Sequence, residues 1–491
     1  MSDSARSAPA ADRDPHRLDQ VLGTFSVIAI VIGEVIGSGI FFKPQEVARA
    51  TGGFVGLILA LWIVCGLVNL CGALSMAELS AMFPHAGGTY VFLRETYGRL
   101  WSFLWVWAEF WVIRTAAIAA LAVYTAVALE EIFQQLGWTL NETPGIGTQR
   151  ALAIGTIVLL GTINIIGTRW GNAVQNVATI IKIGSVVFLA ILPFVAFRAE
   201  SASGGAPFEF GDLWPGSDQP GLIVGIGAAV AAIMWAYDGW GNVTVIAEEV
   251  HNPQRSVPLA LIVGVIVLIV LYAGANLAYH LTLPSSEIAQ HQNPAAAVCE
   301  KLLPSYGARL VQAMILVSVF GALNVNVLVG PRVLFAVARD HAFLRPFSRI
   351  HPATRTPAVA IAGMCAWSIA LILMGGLSWD PNVQLFDILT LWTVFGGSIF
   401  YFSAVVAVFI LRWRRPDAER PYRTWGYPVV PALFLMFYVF LLVTMYLERP
   451  LDRTIGLALI AAGAVVYFIV ERRGSRPDVA ATPGGQTTPA G

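Results

Sequence analysis

Charge is scarce in this chain. Of its 491 residues, 57% are apolar and 12% are Asp, Glu, Lys or Arg, with a mean hydropathy of +0.69. A soluble domain carries about twice that share of charge. The surface of a water-soluble body of this length would go uncovered, and a disordered or fibrous chain would not be so apolar. An excess of one sign is missing as well. The 30 basic residues balance 30 acidic ones, so no basic field invites nucleic acid. Cysteine is rare: Cys65, Cys71, Cys299 and Cys365 are too scattered for a disulfide framework or a zinc site and read as small core residues. There is no Gly-x4-Gly-Lys-Ser/Thr phosphate loop, no nucleophile elbow and no metal-binding histidine spacing. These absences argue against direct use of ATP and against an enzyme, and neither a metal nor a cofactor is expected.

Long apolar runs are what the chain has instead. About twelve are long enough to cross a bilayer, between residues 23 and 473. In hydrocarbon each backbone must satisfy its own hydrogen bonds, so these runs are expected to be helices, and the fold class is an all-α membrane protein. The alternation of an outer-membrane barrel is absent. Residues 1–22 are polar, hold no apolar signal core and read as a disordered cytoplasmic tail; 474–491, rich in Gly, Pro and Thr, read as another. With both termini inside, cytoplasmic segments carry roughly 19 of the 30 Lys and Arg, among them the Arg339–Arg355 and Arg412–Arg423 clusters, against about 8 outside.

Two runs are interrupted by glycine in matching places. The first holds Gly33, Gly37, Ser38 and Gly39; the sixth holds Trp235-Ala236-Tyr237-Asp238-Gly239-Trp240-Gly241. Gly37 lies about 14 residues into its run, or about 20 Å deep at 1.5 Å per residue, and Trp235 lies similarly deep from the other side. One reading is close helix packing at small residues. The other is a pair of unwound stretches lining a cavity. Free N–H groups there suit a carboxylate and free C=O groups an ammonium, which together suit a zwitterionic amino acid. Broken helices one and six, five spans apart, also fit an inverted-repeat transporter plan.

Five ionisable residues, Glu34, Glu109, Arg114, Lys182 and Asp238, fall in or near the apolar runs, and each is a functional-site candidate because burial there is costly. Lys182, about ten residues into the fifth run, is also near mid-membrane. Its ammonium would pin carbonyls of a broken helix, fill a place otherwise taken by sodium, or give up its proton during a cycle. Glu34 is expected either to pair with Lys182 or to accept a proton itself. Glu109 and Arg114, five residues apart, are expected on different faces of one helix, as pins between helices. Asp238 is expected to cap the half-helix that follows it, ahead of touching a ligand.

At these residues the chain resembles the L-type amino-acid transporter family, in the bacterial branch, within the amino acid–polyamine–organocation superfamily. Gly33 to Phe41 with Pro44 is similar to that family's first helix, and Trp235 to Trp240 to its sixth. Further likeness lies in Trp107-Ala108-Glu109 with Arg114, in Glu248-Glu249 with Asn252-Pro253, and in Phe320-Gly321-Ala322 with Asn324. The resemblance implies two inverted five-helix repeats, about 23–197 and 221–411, plus extra helices over about 428–470. It implies sodium-independent alternating-access transport, with exchange as the leading reading, proton symport as the alternative and a transporter-like sensor as a remote third. It places Ile36, Ser38 and Gly39 with Trp235, Ala236 and Gly239 at the substrate's backbone groups. It makes Lys182 the sodium substitute, reaching Gly33 and Ser318. Glu34 departs from the family's usual Thr, Asn or Ala, and Trp235 from its phenylalanine. No cysteine lies in 134–150, where animal members bond a glycoprotein, so no disulfide-linked heavy chain is expected; the expected partners are the bilayer and an amino-acid substrate. An apolar side-chain pocket of Val112, Ile113, Ala117, Trp235 and Phe395 points to neutral L-amino acids, in a cytoplasmic (inner) membrane.

Overall fold

A computed structural model describes residues 18–135, 137–138, 146–201, 213–216, 221–374 and 385–474. Most of both expected tails, and residues 136 and 139–145 of the 134–150 stretch, lie outside the described residues. Helices dominate; among the described residues the extended contact is a lone bridge between Leu22 and Val250.

The elements run in order as α1 (Thr24–Val35), α2 (Gly39–Ala50), α3 (Val55–Met82), α4 (Thr89–Tyr97), α5 (Arg99–Ala108), a π turn (Glu109–Ile113), α6 (Arg114–Gln135), α7 (Ile146–Ile166) and α8 (Thr168–Ser201). Then come α9 (Leu222–Tyr237), a 3-10 segment (Trp240–Glu249), α10 (Pro253–Thr282), α11 (Ser285–Ile288), α12 (Pro294–Leu302) and α13 (Gly307–Asp340). A 3-10 turn (Ala342–Ser348), α14 (Ala358–Met374), α15 (Leu385–Arg414), α16 (Val429–Glu448) and α17 (Pro450–Gly474) complete the chain.

Among the described residues, 10 helical stretches are long and apolar enough to cross a membrane, and α1 with α2, bent by 41° at their break, makes up to 11. The 17-residue α14 is apolar but stands at the short limit for a crossing. Burial sorts the spans. The apolar windows of Arg99–Gln134, α13 and Thr393–Arg414 are 78%, 72% and 72% buried, against 28% in α16 and 22% in Pro450–Val470. The third span, α13 and α15 therefore form the interior, and α16 and α17 lie at the rim with apolar faces turned outward. Between them α1 packs on α8, α10 and α13, and α2 on α9.

Residues Leu18–Leu22, expected in the tail, are packed in place. Leu22 is fully buried, and the amides of Val21 and Leu22 donate to the Glu249 carbonyl at 2.9 and 3.0 Å. Leu18 packs with Ala86 and Phe335. Leu18, Val21 and Leu22 supply the apolar surface that docks this stretch.

Candidate binding site

At the first break, Ile36–Ser38, the helical ladder is lost and the carbonyls need other donors. Side chains supply them. Gly33 O accepts Lys182 Nζ at 2.6 Å, Val35 O accepts Tyr272 Oη at 2.9 Å, and Ser318 Oγ lies 3.1 and 3.0 Å from the carbonyls of Ile36 and Gly37. Tyr272 also reaches Ala236 O at 3.1 Å, so one hydroxyl ties the two breaks together. Gly39 lets them touch: a Cβ there would lie 2.6 Å from Ala236 Cα. Phe41 N and Phe42 N bond Ser38 O at 3.1 and 3.3 Å, while the amides of Gly39 and Ile40, which open α2, have no main-chain carbonyl partner among the described residues, a helix start suited to an anion.

The second break turns at Asp238 and Gly239. Gly239 sits at φ 108°, a conformation costly for any residue with a Cβ. The segment beyond is a 3-10 helix, and no side chain caps it. Asp238 therefore does not cap the half-helix as expected. Its backbone ends α9 and its half-buried side chain faces the cavity between the breaks.

That cavity is small, with a free volume of about 60 Å³, below the roughly 300–1,000 Å³ of usual small-molecule sites, so it stands nearly closed. Of the candidate residues, Ser38, Gly39, Ile113, Ala117, Trp235 and Gly239 line it, with Glu34, Glu109, Arg114 and Asp238. Gly33, Lys182 and Ser318 stand behind the first break, outside the lining. Ile36, Ala236 and Val112 are buried beside the cavity and are not in its wall. Phe395 is also outside it: the Arg453 guanidinium stacks over its ring at 5.3 Å, and Thr393, Gly397 and Tyr401 present α15 to the cavity instead. Trp235 lines this cavity and also a second hollow of about 370 Å³ with Lys43, Glu46, Arg49 and Glu448, so its indole stands between the two.

Two expected pairings are corrected. In an α-helix, residues five apart point about 140° away from each other. Here Glu109–Ile113 is a π turn, with Arg114 N bonded to Glu109 O and Thr115 Oγ to Phe110 O at 2.6 Å. The wider turn brings the two side chains onto one face. Arg114 grips Glu109 with Nε–Oε2 at 3.0 Å and Nη2–Oε1 at 3.2 Å. Glu34 does not pair with Lys182. Its Oε1 accepts Arg114 Nη1 at 3.0 Å and Asn242 Nδ2 at 2.7 Å, and Arg114 Nη1 also reaches Asn326 Oδ1 at 2.8 Å. Arg114 thus pins the third span to α1 and α13.

Sequence reasoning missed Asn242, Asn326, Tyr272 and Tyr401. The asparagines carried a signal, being polar groups inside apolar runs. Tyr272 and Tyr401 carried none, since aromatic residues are common in any span.

The two ends of the bundle differ. The end where α1 begins is tied shut. Glu249 takes Arg332 Nε at 2.8 Å and Thr168 Oγ at 2.9 Å, Glu248 takes Arg339 at 2.9 Å and the Leu18 amide at 3.1 Å, and Asp340 takes Arg94 and Tyr90. The other end holds the hollow against Trp235.

Comparison with known proteins agrees with this architecture. A family profile described as amino acid permease matches residues 22–470. The serine/threonine exchanger SteT of Bacillus subtilis (strain 168) is 31% identical over 94% of this chain and 99% of its own length. The human b(0,+)-type amino acid transporter 1 is 30% identical over 92% of this chain and 88% of its own, and the human cystine/glutamate transporter 29% over 90% and 83%. With broken spans around a polar cavity and that match across most of its length, the chain belongs to the amino acid permease family, as a multi-pass membrane transporter of amino acids.

Proposed function

We propose that this permease carries neutral L-amino acids across the cytoplasmic membrane by alternating access, without sodium and without a disulfide-linked partner, and that it works by exchange. The observation that carries this reading is the Lys182 ammonium, bonded to Gly33 O at 2.6 Å where the first helix breaks. A fixed cation at that carbonyl supplies the charge that a metal ion would bring. The amides opening α2, beside Ser38 and Gly39, would take the substrate carboxylate, and carbonyls at the breaks its ammonium. Ile113 and Ala117 would meet an apolar side chain, and Trp235 would shut the cavity from the second hollow. Repeats over 23–197 and 221–411 would rock about this site, with both termini cytoplasmic; the ion pairs around Glu248 and Glu249 then close the inside and leave the cavity to open outward.

Arg114 is matched by Glu109 and Glu34, so it offers no free cation for an acidic side chain. The inward Asp238 carboxylate favours a second reading, acceptance of a basic side chain. Uptake of labelled L-amino acids into proteoliposomes, empty or preloaded, tests both. Uptake of Ala, Ser, Thr or larger neutral residues only into preloaded vesicles supports neutral exchange. Uptake of Lys and Arg alone would replace the substrate class, and no uptake of any amino acid would overturn the proposal.

A further inference from the structure

At the end of the bundle where α1 begins, the loop from α15 to α16 carries its charge unevenly. Between Leu411 and Tyr427 it holds five arginines and two carboxylates. Three of the arginines are held within the chain. Glu78, buried in α3, accepts Arg412 Nη2 at 2.6 Å and the Thr424 amide at 2.7 Å, with Arg420 Nε 3.3 Å away. Glu95 accepts Arg415 Nη1 at 3.1 Å. Arg414 and Arg423 are both exposed and meet no carboxylate among the described residues; Arg414 donates to the Thr96 carbonyl at 3.0 Å.

Two indoles stand in the open beside them. Trp413 is 80% exposed and Trp425 75%. One carboxylate sets where these side chains emerge. Arg412 and Thr424 share Glu78, so Trp413 and Arg414 leave that anchor on one arm of the loop, and Arg423 and Trp425 flank it on the other. Past the loop, Val429, Leu433 and Met436 of α16 are exposed, and their spacing of four and three residues puts them on one face. Asp417 and Glu419 are exposed too, and they repel an anion. They follow in the turn beyond the end of α15, whereas Arg420 Nη2 reaches back to the carbonyls of Leu411 and Arg415 at 3.2 and 2.8 Å. The two acids therefore stand on the water side of the end of α15.

We propose that the α15–α16 loop docks one anionic phospholipid from the surrounding bilayer. Arg423 and Arg414 take its phosphate, since a guanidinium forks onto phosphate oxygens. Trp413 and Trp425 take its glycerol region, because an indole settles between headgroups and tails. The Val429, Leu433 and Met436 face takes its acyl chains. Cation, indole and alkyl surface thus follow one another in the order of phosphate, glycerol and chain. The two arginines lack a counter-charge, so a headgroup of net negative charge completes them, and a zwitterionic one brings its own cation and completes them less. The lipid joins α15 to α16 beside their tie to α3, and a ligand of the folded chain alone stabilises it.

The test uses the full chain in an uncharged detergent, titrated with phosphatidylglycerol, phosphatidylethanolamine or phosphatidylcholine of identical chains. Native mass spectrometry counts bound lipid, and the melting temperature reports its effect. Phosphatidylglycerol should fill one site with at least about tenfold preference over both zwitterionic lipids and should raise the melting temperature more than they do. The preference should shrink in high salt. In R414Q/R423Q it should fall to within about twofold, while phosphatidylcholine binds as before. W413A/W425A should weaken all three lipids alike. Equal binding of the three lipids by the wild type, or a preference that survives R414Q/R423Q, overturns the proposal. So does equal stabilisation by inorganic phosphate, which would make the site one for a free anion, or a dimer whose interface excludes phosphatidylglycerol, which would give the face to a second copy. If R414Q/R423Q does not fold, R423Q decides: a preference lowered by about fivefold supports the lipid, and an unchanged one refutes it.

Discussion

Lys182 and Arg114 are both buried cations beside the first break, 1% and 4% exposed, and they are neutralised differently. Lys182 comes from α8 and bonds a main-chain carbonyl. Arg114 comes from the third span and bonds two carboxylates and an asparagine through all three of its guanidinium nitrogens. A carbonyl carries only a partial charge, so the field of Lys182 persists in its surroundings, whereas that of Arg114 is spent on its partners. The difference assigns them different work. Arg114 is first a structural bolt holding anions in an apolar interior. Lys182 is a donor placed against the broken end of α1.

Breaking the Arg114 side should have the larger effect on the fold. Arg114→Met leaves Glu109 and Glu34 buried without their cation, and orphaning one partner of a buried pair costs about 3–5 kcal/mol. We expect a marked fall in the melting temperature of the detergent-solubilised protein. The triple variant R114M/E109Q/E34Q, which removes all three charges, should recover much of it. A single variant that melts like the wild type would remove the contrast.

Breaking the Lys182 side should cost less stability and more function. Lys182→Ala strips Gly33 O of its donor, a penalty of about 1–3 kcal/mol for an unpaired buried group. It also deletes the charge at the break. Folded protein should still reach the membrane, while amino-acid uptake falls by at least about tenfold, equivalent to roughly 1.4 kcal/mol on the rate-limiting step. Near-normal uptake by K182A would end the distinction drawn here.

Trp235 supplies a second comparison. It lines the central cavity and the outer hollow. Trp235→Ala should merge the two spaces and weaken apparent substrate affinity by about tenfold, with a melting shift smaller than that of R114M; truncating one large apolar contact in a site is worth a few kcal/mol at most. An unchanged concentration dependence of uptake would take Trp235 out of the gate.

The breaks are legible in the sequence because glycine clusters rarely interrupt a bilayer-length apolar run without a purpose. So is the depth of Lys182, since depth in a helix is counted at a fixed rise per residue. Pairing was not legible. Glu34 has two cations within reach, and the choice of Arg114 over Lys182 depends on how α8 and the third span stand around α1. The Glu109–Arg114 contact depends on one π turn, and Glu109-Phe110-Trp111-Val112-Ile113 carries no local signal for it. Phe395 failed for a related reason. Apolar residues on a helix are equivalent by type, and only the rotation of α15 decides that Thr393 and Gly397 face the cavity while Phe395 lies under Arg453.

The smallest expected effect sharpens the comparison most. If Lys182 supplies the charge at the first break, an external cation has no vacant role there, and replacing sodium with choline should change uptake by less than about twofold, within a few tenths of a kcal/mol. The same replacement in K182A is the informative arm. Removing the ammonium exposes the Gly33 carbonyl, with Ser318 Oγ already at the carbonyls of Ile36 and Gly37. Oxygen ligands of this kind suit a hard cation. A partial return of uptake in K182A at high sodium, absent in choline, would show that the lysine stands in for an ion. Steep sodium dependence in the wild type would mean that Lys182 is no substitute, and that its bond to Gly33 O is a pin like the one Arg114 provides across the break.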